Sequence, residues 1–558
     1  MTRKSLETSV FKRLNHVLIV LLPIAYVITY LDVHGKRGAY YWTPNQDPDY
    51  AYLMNSLVLA LFQVPQHTDH PGTPLQILGA IVLWISYAVQ SLFDPTINLD
   101  LADQVLMNPE LYLTLFNLVL IGVTACSLIA LGWVALRLSN NLLLALILQI
   151  SPLLLIATFA AYEPSRVAPD VLLVCFSQIL ALILVCYLYG KDSGRSYKFS
   201  VGLGVVLGVG MATKATFLPT FFYFLLPQGW RNKALALGTA LTAFILVTLP
   251  ILPRYGRTFG WMTDIAIRTG SYGKGEVGLV DASNLPRYAS LLLSRNLVFF
   301  AILLIATATC FGFTVCWTKG KALRASLPQP DFRRTYLLLV LTSLVGWGQV
   351  ILTLRQQPWS RYLYPTAGLM GFLVFLLVQL CRVAIPLLGD KFRIPKLNWV
   401  IPAIALTFCV AISIQQIDAS VDNVASSSKK RLKELAKIER ILQSNEYQTC
   451  VLVRSRRAST LESALKYGDF WAGKKLSKRL DHLYPQLVFY TDKDSSFETF
   501  ANQPVSLAAL AEQGKGCVLL ESFAMPINTW KANYRPLQPI DAVFEGKFEG
   551  LYRLKLDQ

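Results

Sequence analysis

Five short polar segments, each lying between apolar runs, carry residue types that can do chemistry. The first is Gln46-Asp47-Pro48-Asp49-Tyr50, two carboxylates flanking a proline. A carboxylate here can act as general base on a hydroxyl or help to hold a divalent metal. The plainer reading is a capped turn, with Asp49 closing the start of a helix that begins at Tyr50. The second segment is His67-Thr68-Asp69-His70-Pro71-Gly72-Thr73-Pro74, three ionisable side chains on a backbone stiffened by prolines. It has no strong metal-ligand spacing and suits the placing of a polar group, His70 above all, against a phosphate or a sugar.

The third segment runs from Glu163 through Arg166 to Asp170, where Asp170 either caps the apolar span it opens or joins the cavity of Asp47 and Asp49. The fourth is Thr213-Lys214, a lysine at a tight turn between two short apolar stretches. A surface lysine there is unremarkable, whereas one held at membrane depth is costly and therefore a functional candidate. The fifth is Trp359-Ser360-Arg361-Tyr362-Leu363-Tyr364-Pro365. Arg361 suits bidentate binding of phosphate, with snorkelling to lipid headgroups as its alternative, and Tyr362 and Tyr364 mark the interface. If a metal is bound, Asp47, Asp49 and Asp170 are its candidate ligands.

The elements that position these residues follow from composition. The 558 residues are 54% hydrophobic and only 15% charged, against roughly 25% charged in a soluble domain. Runs such as Leu297–Trp317 and Trp399–Ile417 are almost free of charge and reach the roughly 20 residues a helix needs to cross a bilayer. Only a helix satisfies its own backbone there. His16–Leu31 follows a basic lead, and no small-residue cleavage site comes after it, so it reads as a retained helix. The net charge of +18 invites a nucleic-acid reading, but the excess sits in short loops between apolar runs and residues 418–558 are nearly balanced. That distribution excludes a nucleic-acid face and fits the positive-inside rule.

Placing the basic loops inside (the N-terminus, Lys191–Lys198, Arg231–Lys233, Lys319–Arg334 and Arg382–Lys396) puts all five polar segments outside. Pro74–Phe93 is apolar enough to span, yet Asp94–Glu110 after it is acidic, so an interfacial helix fits the charge rule better. The expected protein is therefore a polytopic α-helical membrane protein of about eleven spans. Its N-terminus is cytoplasmic, residues 1–417 form the membrane domain, residues 34–110 form the first outer loop, and residues 418–558 form an extracytoplasmic domain. Lys429–Ser444 has an amphipathic helical pattern, and short apolar runs at Cys450–Val453, Leu487–Tyr490 and Cys517–Leu520 alternate with helical stretches such as Leu507–Gln513. With a closing hairpin at Val543–Leu556, this reads as a small α/β domain that packs on the membrane part or recognises acceptor. Cys450 and Cys517 stand alone in it and can pair if it is extracytoplasmic.

Taken in order, these segments resemble the GT-C superfamily of polyprenyl-linked glycosyltransferases, over most of residues 10–420. The nearer likeness is to aminoarabinose transferases of lipid A, protein O-mannosyltransferases and lipopolysaccharide-core sugar transferases. Asp47-Pro48-Asp49 stands where that family carries adjacent acids in its first outer loop, here separated by a proline, with Asp47 the first choice as base and Asp49 the second. His70-Pro71-Gly72-Thr73-Pro74-Leu75, Asp170, Thr213-Lys214 and Arg361-Tyr362-Leu363-Tyr364-Pro365 match further family elements. The resemblance implies interfacial helices in the first outer loop and transfer of a sugar from a polyprenyl-phosphate donor to a lipid, glycan or protein hydroxyl. It further implies a cell-envelope location, here the bacterial inner membrane, among membrane lipids. Two other classes stand beside it. A transporter or flippase needs internal repeats and charges within spans, and a non-enzymatic scaffold has no need of Asp47, Lys214 and Arg361 on one side.

Overall fold

The computed structural model describes residues 14–42, 46–93, 99–158, 165–190, 193–270, 273–278, 281–319, 330–356, 358–384, 397–491, 496–524 and 540–554. Glu163 and most of the basic loops Lys319–Arg334 and Arg382–Lys396 lie outside the described residues.

The apolar runs form helices. Among the described residues, eight are long and apolar enough to cross a membrane: Leu14–Arg37, Thr73–Phe93, Pro109–Ser139, Pro169–Tyr189, Trp230–Ile267, Leu297–Val315, Phe332–Arg355 and Trp399–Leu442. A bent pair, Ser360–Ala367 with Met370–Arg382, brings the number to nine. The expected tally of about eleven is not reached on length, because Leu142–Leu154, Tyr197–Thr213 and Ala215–Leu225 are apolar but short. Thr73–Phe93 passes the same length test as the others. Lys214 is the break anticipated between two short stretches: its backbone is extended between the helix Tyr197–Thr213 and the 3-10 turns Ala215–Leu225. Large apolar side chains such as Ile28, Leu241 and Phe311 point outward on the long helices. With no water to drive them inward, lipid-facing positions keep such side chains. The chain is an integral membrane protein.

Six helices position the polar segments and the C-terminal domain: α1 (Leu21–Arg37), α2 (Gln46–Ala60), α3 (Thr73–Phe93), α4 (Pro169–Tyr189), α5 (Leu397–Leu442) and α6 (Leu461–Trp471). The boundary expected at 417/418 falls inside α5, a single helix of 46 residues. No proline or glycine interrupts residues 418–442, so the amphipathic stretch continues the helical period of the apolar one.

Beyond α5 lies a seven-stranded sheet: β1 (Val451–Ser455), β2 (Val488–Thr491), β3 (Ser496–Thr499), β4 (Pro504–Val505), β5 (Val518–Phe523), β6 (Ile540–Glu545) and β7 (Glu549–Leu554). The strand order is β4-β3-β2-β1-β5-β7-β6. β1 pairs in parallel with β2 and β5, which requires helical crossovers, and the outer pairs are antiparallel. The apolar runs read from sequence become β1, β2 and β5, Leu507–Gln513 is a helix, and β6–β7 is the closing hairpin. Cys450 and Cys517, at the feet of β1 and β5, form a disulfide across a sequence separation of 67. Closing a loop of this length restricts the unfolded chain, so the Cys450→Ser/Cys517→Ser variant is expected to lose about 4 kcal/mol of stability. Thermal unfolding with and without reductant checks this, and the double variant should no longer respond to reductant.

The sheet domain is not a loose appendage. Buried Leu53, Met54 and Leu57 of α2 share one apolar cluster with Ala464, Leu465, Leu480 and Phe489 of the C-terminal domain. Gly468 makes the approach possible, since a Cβ there would lie 2.7 Å from Met54 Cγ and 2.8 Å from the Tyr50 carbonyl oxygen. Polar contacts surround this seam. Asn55 donates to the Trp471 carbonyl (3.2 Å), Lys475 to the Val64 carbonyl (2.9 Å), and Arg479 pairs with Asp100 (2.6 Å) and Asp103 (2.9 Å).

Candidate active site

The five polar segments meet at one end of the helices. α1 ends at Arg37, whose guanidinium lies 3.3 Å from Asp49, and Arg166 lies 3.4 Å from the same carboxylate oxygen. All three side chains are at most 3% exposed. The other oxygen of Asp49 accepts from the Val167 backbone N–H. Arg166 also donates to the Asp47 carbonyl oxygen, so it grips the turn on both sides of Pro48. Asp49 is thus consumed by a buried ion cluster, and the cavity is lined by Asp47, at the non-helical first turn of α2.

That cavity, of about 390 Å3, falls in the range of small-molecule sites, about 300–1,000 Å3. Asp47, His70, Asp170, Lys214 and Arg361 all line it, so five of the residues singled out from sequence come together. Asp170, in the first turn of α4, pairs with Lys214 through both oxygens, at 2.7 and 2.9 Å. The buried lysine therefore has a matched counter-ion, without which its burial would cost several kcal/mol. Tyr362 lies beneath two cations: Lys214 Nζ is 5.1 Å and Arg361 Cζ 5.6 Å from its ring centre. Tyr364, Arg166 and Asp49 are buried away from the lining.

His70 packs edge-on against Trp261 at 4.9 Å. Burial, followed by the charges of Lys214, His67 and Arg361, holds its imidazole well below the usual histidine range. His70 is therefore neutral at pH 7 and offers a hydrogen bond rather than the positive charge that a lysine would bring. Burial likewise lowers His67, which stacks edge-on against Tyr52 (5.1 Å) and Trp471 (4.8 Å). Asp69 pairs with Arg257 at 3.1 Å.

As for a metal, Asp49 and Asp170 are already neutralised by Arg37, Arg166 and Lys214. Among the described residues no three His, Cys, Asp or Glu side chains group as a ligand set. The candidate trio Asp47, Asp49 and Asp170 does not fit a metal, because each of the last two already has its cation.

Sequence reasoning missed the far wall of the cavity. Arg456 and Arg457, in the turn after β1, and Tyr467, Phe470 and Trp471, on α6, line it from the C-terminal domain. Burial first, and the charge of Asp47 second, push the Tyr467 phenol well above its usual range. The signal was present as an aromatic stripe at i, i+3, i+4, a helical face, but nothing local joins residue 467 to residue 47.

A helical membrane bundle capped at one end by a mixed α/β domain, with the charged groups gathered between them, is a fold shared with proteins of known structure. Two solved structures align with nearly the whole chain. ArnT from Cupriavidus metallidurans bound to undecaprenyl phosphate matches at 12% identity over 97% of this chain and 99% of its own, with a TM-score of 0.50. The same protein in the apo state gives 12%, 97%, 99% and 0.51. An oligosaccharyltransferase from Archaeoglobus fulgidus aligns at 10% identity over 90% of this chain and 69% of its own, with a TM-score of 0.40. No protein-family model and no curated protein matches the sequence.

Proposed function

We propose that the chain is a membrane glycosyltransferase that moves a sugar from a polyprenyl-phosphate donor to an acceptor hydroxyl by a single inverting displacement. One observation carries the reading: Asp47, a carboxylate without an ion pair among the described residues, faces the same cavity as the cations Lys214 and Arg361. The fold likeness to ArnT, a protein whose solved structure binds undecaprenyl phosphate, supports a polyprenyl donor.

In this mechanism Asp47 accepts the proton of the acceptor hydroxyl, whose oxygen attacks the anomeric carbon. The sugar–phosphate C–O bond breaks through an oxocarbenium-like state, and its electron pair leaves on the phosphate oxygen. Arg361 and Lys214 stabilise that developing charge, Asp170 holds Lys214 in place, and neutral His70 adds a hydrogen bond. The products are the glycosylated acceptor and polyprenyl phosphate. Asp49 and Arg166 act as positioning residues for the Asp47 turn. The disulfide favours an extracytoplasmic C-terminal domain and, with the loop charges, a bacterial inner-membrane location with the N-terminus inside.

A radiolabelled polyprenyl-phosphate sugar in proteoliposomes tests the reading. The expected result is release of polyprenyl phosphate with label in the acceptor. Translocation of an intact donor would overturn it in favour of a flippase. A second measurement addresses Tyr467. Tyr467 lines the cavity with Asp47 and feels its charge, so Tyr467→Phe is expected to lower kcat by about tenfold or more. The donor KM should stay unchanged, because Lys214 and Arg361 are untouched.

A further inference from the structure

Asp47 can act only where its backbone puts it. It has non-helical backbone angles, φ −107° and ψ 114°, one residue before Pro48. Among the described residues no ion pair steers its carboxylate, so the backbone on either side sets its direction. On the following side the anchors belong to the membrane domain: Arg166 donates to the Asp47 carbonyl oxygen, and Asp49 is clamped between Arg37 and Arg166. On the preceding side stands Gln46, only 3% exposed. Its Nε2 donates to the Tyr41 carbonyl at 2.8 Å and to the Ala458 carbonyl at 2.5 Å. Both hydrogens of the amide are thereby used. Ala458 is 412 residues away, in the turn between β1 and α6 of the C-terminal domain.

That turn is itself fixed within its own domain. The Ala458 N–H donates to the Ser455 carbonyl at 3.0 Å and the Arg457 N–H to the Ser455 hydroxyl at 3.2 Å. Ser459 donates to Glu549 at 2.7 Å, and Thr460 caps α6 by accepting from the Ser463 N–H at 3.2 Å. The carbonyl that Gln46 meets is therefore a rigid point of reference. Docking of the two domains does not depend on this bond. The apolar seam of α2 with α6, Asn55 on Trp471, Lys475 on Val64, and Arg479 on Asp100 and Asp103 already hold them together. What sets the Gln46 bond apart from those contacts is its place, one residue from Asp47.

We propose that Gln46 is a positioning residue for Asp47, tying the backbone of the base to the β1–α6 turn, so that the C-terminal domain takes part in placing the base. The proposal rests on the reading of Asp47 as the base. Gln46 carries no proton in the reaction and acts through geometry alone. A displacement of about 1 Å between a catalytic group and its target costs up to about a hundredfold in rate, which sets the scale of the effect.

The test is a double-mutant cycle on the full chain in proteoliposomes, read as single-turnover transfer from a radiolabelled polyprenyl-phosphate sugar. Gln46→Met keeps the length and approximate volume of the side chain and removes both donated bonds. Transfer is expected to fall by about tenfold to a hundredfold, with donor KM and undecaprenyl phosphate affinity unchanged. In the Asp47→Asn background the same substitution should cost nothing further, because no base is left to place. Ser459→Ala, which frees the turn from Glu549 and leaves Gln46 intact, supplies the same comparison if Gln46→Met does not fold: a loss in the parent protein and none beside Asp47→Asn. Equal fractional losses in the two backgrounds, an unaltered rate in folded Gln46→Met, or a raised donor KM each overturns the proposal and leaves Asp47 as the base. Full transfer by Asp47→Asn alone removes the base reading, and the proposal with it.

Discussion

Asp47→Asn is expected to lower sugar transfer by about 10²–10⁴-fold, the usual contribution of a general base, while leaving the melting temperature where it was. The reason is local. The Asp47 side chain is exposed to the cavity, and what anchors the turn is its carbonyl oxygen, which Arg166 holds whatever the side chain. Asparagine keeps the shape, but it cannot take the proton of an attacking hydroxyl. Donor binding should survive, because Lys214 and Arg361 are untouched. Single-turnover transfer, read beside undecaprenyl phosphate affinity and thermal unfolding, separates these effects. Full transfer by a normally folded Asp47→Asn protein would remove this residue as the base.

Asp49→Asn, just beyond the proline, should fail in the opposite way. Asp49 is fully buried between Arg37 and Arg166 at 3.3 and 3.4 Å. Its replacement leaves two guanidinium groups confined without their counter-charge, a class of change that costs about 3–5 kcal/mol. The variant should therefore melt much lower and yield less folded protein, and the folded fraction should retain measurable transfer. Arg37→Met combined with Asp49→Asn should recover part of the lost stability, since it removes one of the stranded charges. A stable but inactive Asp49→Asn protein would make Asp49 the base and Asp47 the structural acid, reversing both assignments.

Those two acids mark how far the sequence could be read. Asp47 and Asp49 have the same side chain, two positions apart, and nothing adjacent separates their roles. The separation comes from Arg37 and Arg166, 12 and 117 residues from Asp49, which only the closed bundle brings together. Features with a short-range physical cause were legible. The apolar runs Cys450–Val453 and Cys517–Leu520 alternate with helical stretches in the manner of an α/β layer, and a turn near Thr213-Lys214 was needed between two short apolar stretches. The membrane-helix and α/β fold class followed from composition and period, and the GT-C likeness from motif order. The span tally is softer, because Tyr197–Thr213 and Ala215–Leu225 are too short to be judged on length. The contribution of α6 was invisible because Tyr467, Phe470 and Trp471 read as an ordinary buried stripe until Gly468 sets α6 against α2. His70 was read as a polar group set against a phosphate or a sugar, and its neutrality follows from burial beside Lys214 and Arg361.

The uninterrupted run of α5 makes the chain sensitive to rotational phase. This helix carries the last apolar segment at one end and, at the other, Arg431, whose guanidinium holds Glu549 of β7 at 3.0 Å. Glu549 in turn accepts from Ser459, in the same turn as Arg456 and Arg457. One residue inserted between 418 and 430 would turn everything beyond it by about 100° and swing Arg431 off that clamp. Seven inserted residues would nearly restore the angle, yet lift the domain by about 10 Å. The helix is thus both the gauge of height and the angular key for the far wall of the cavity, and a linker of equal length but no stiffness could replace neither.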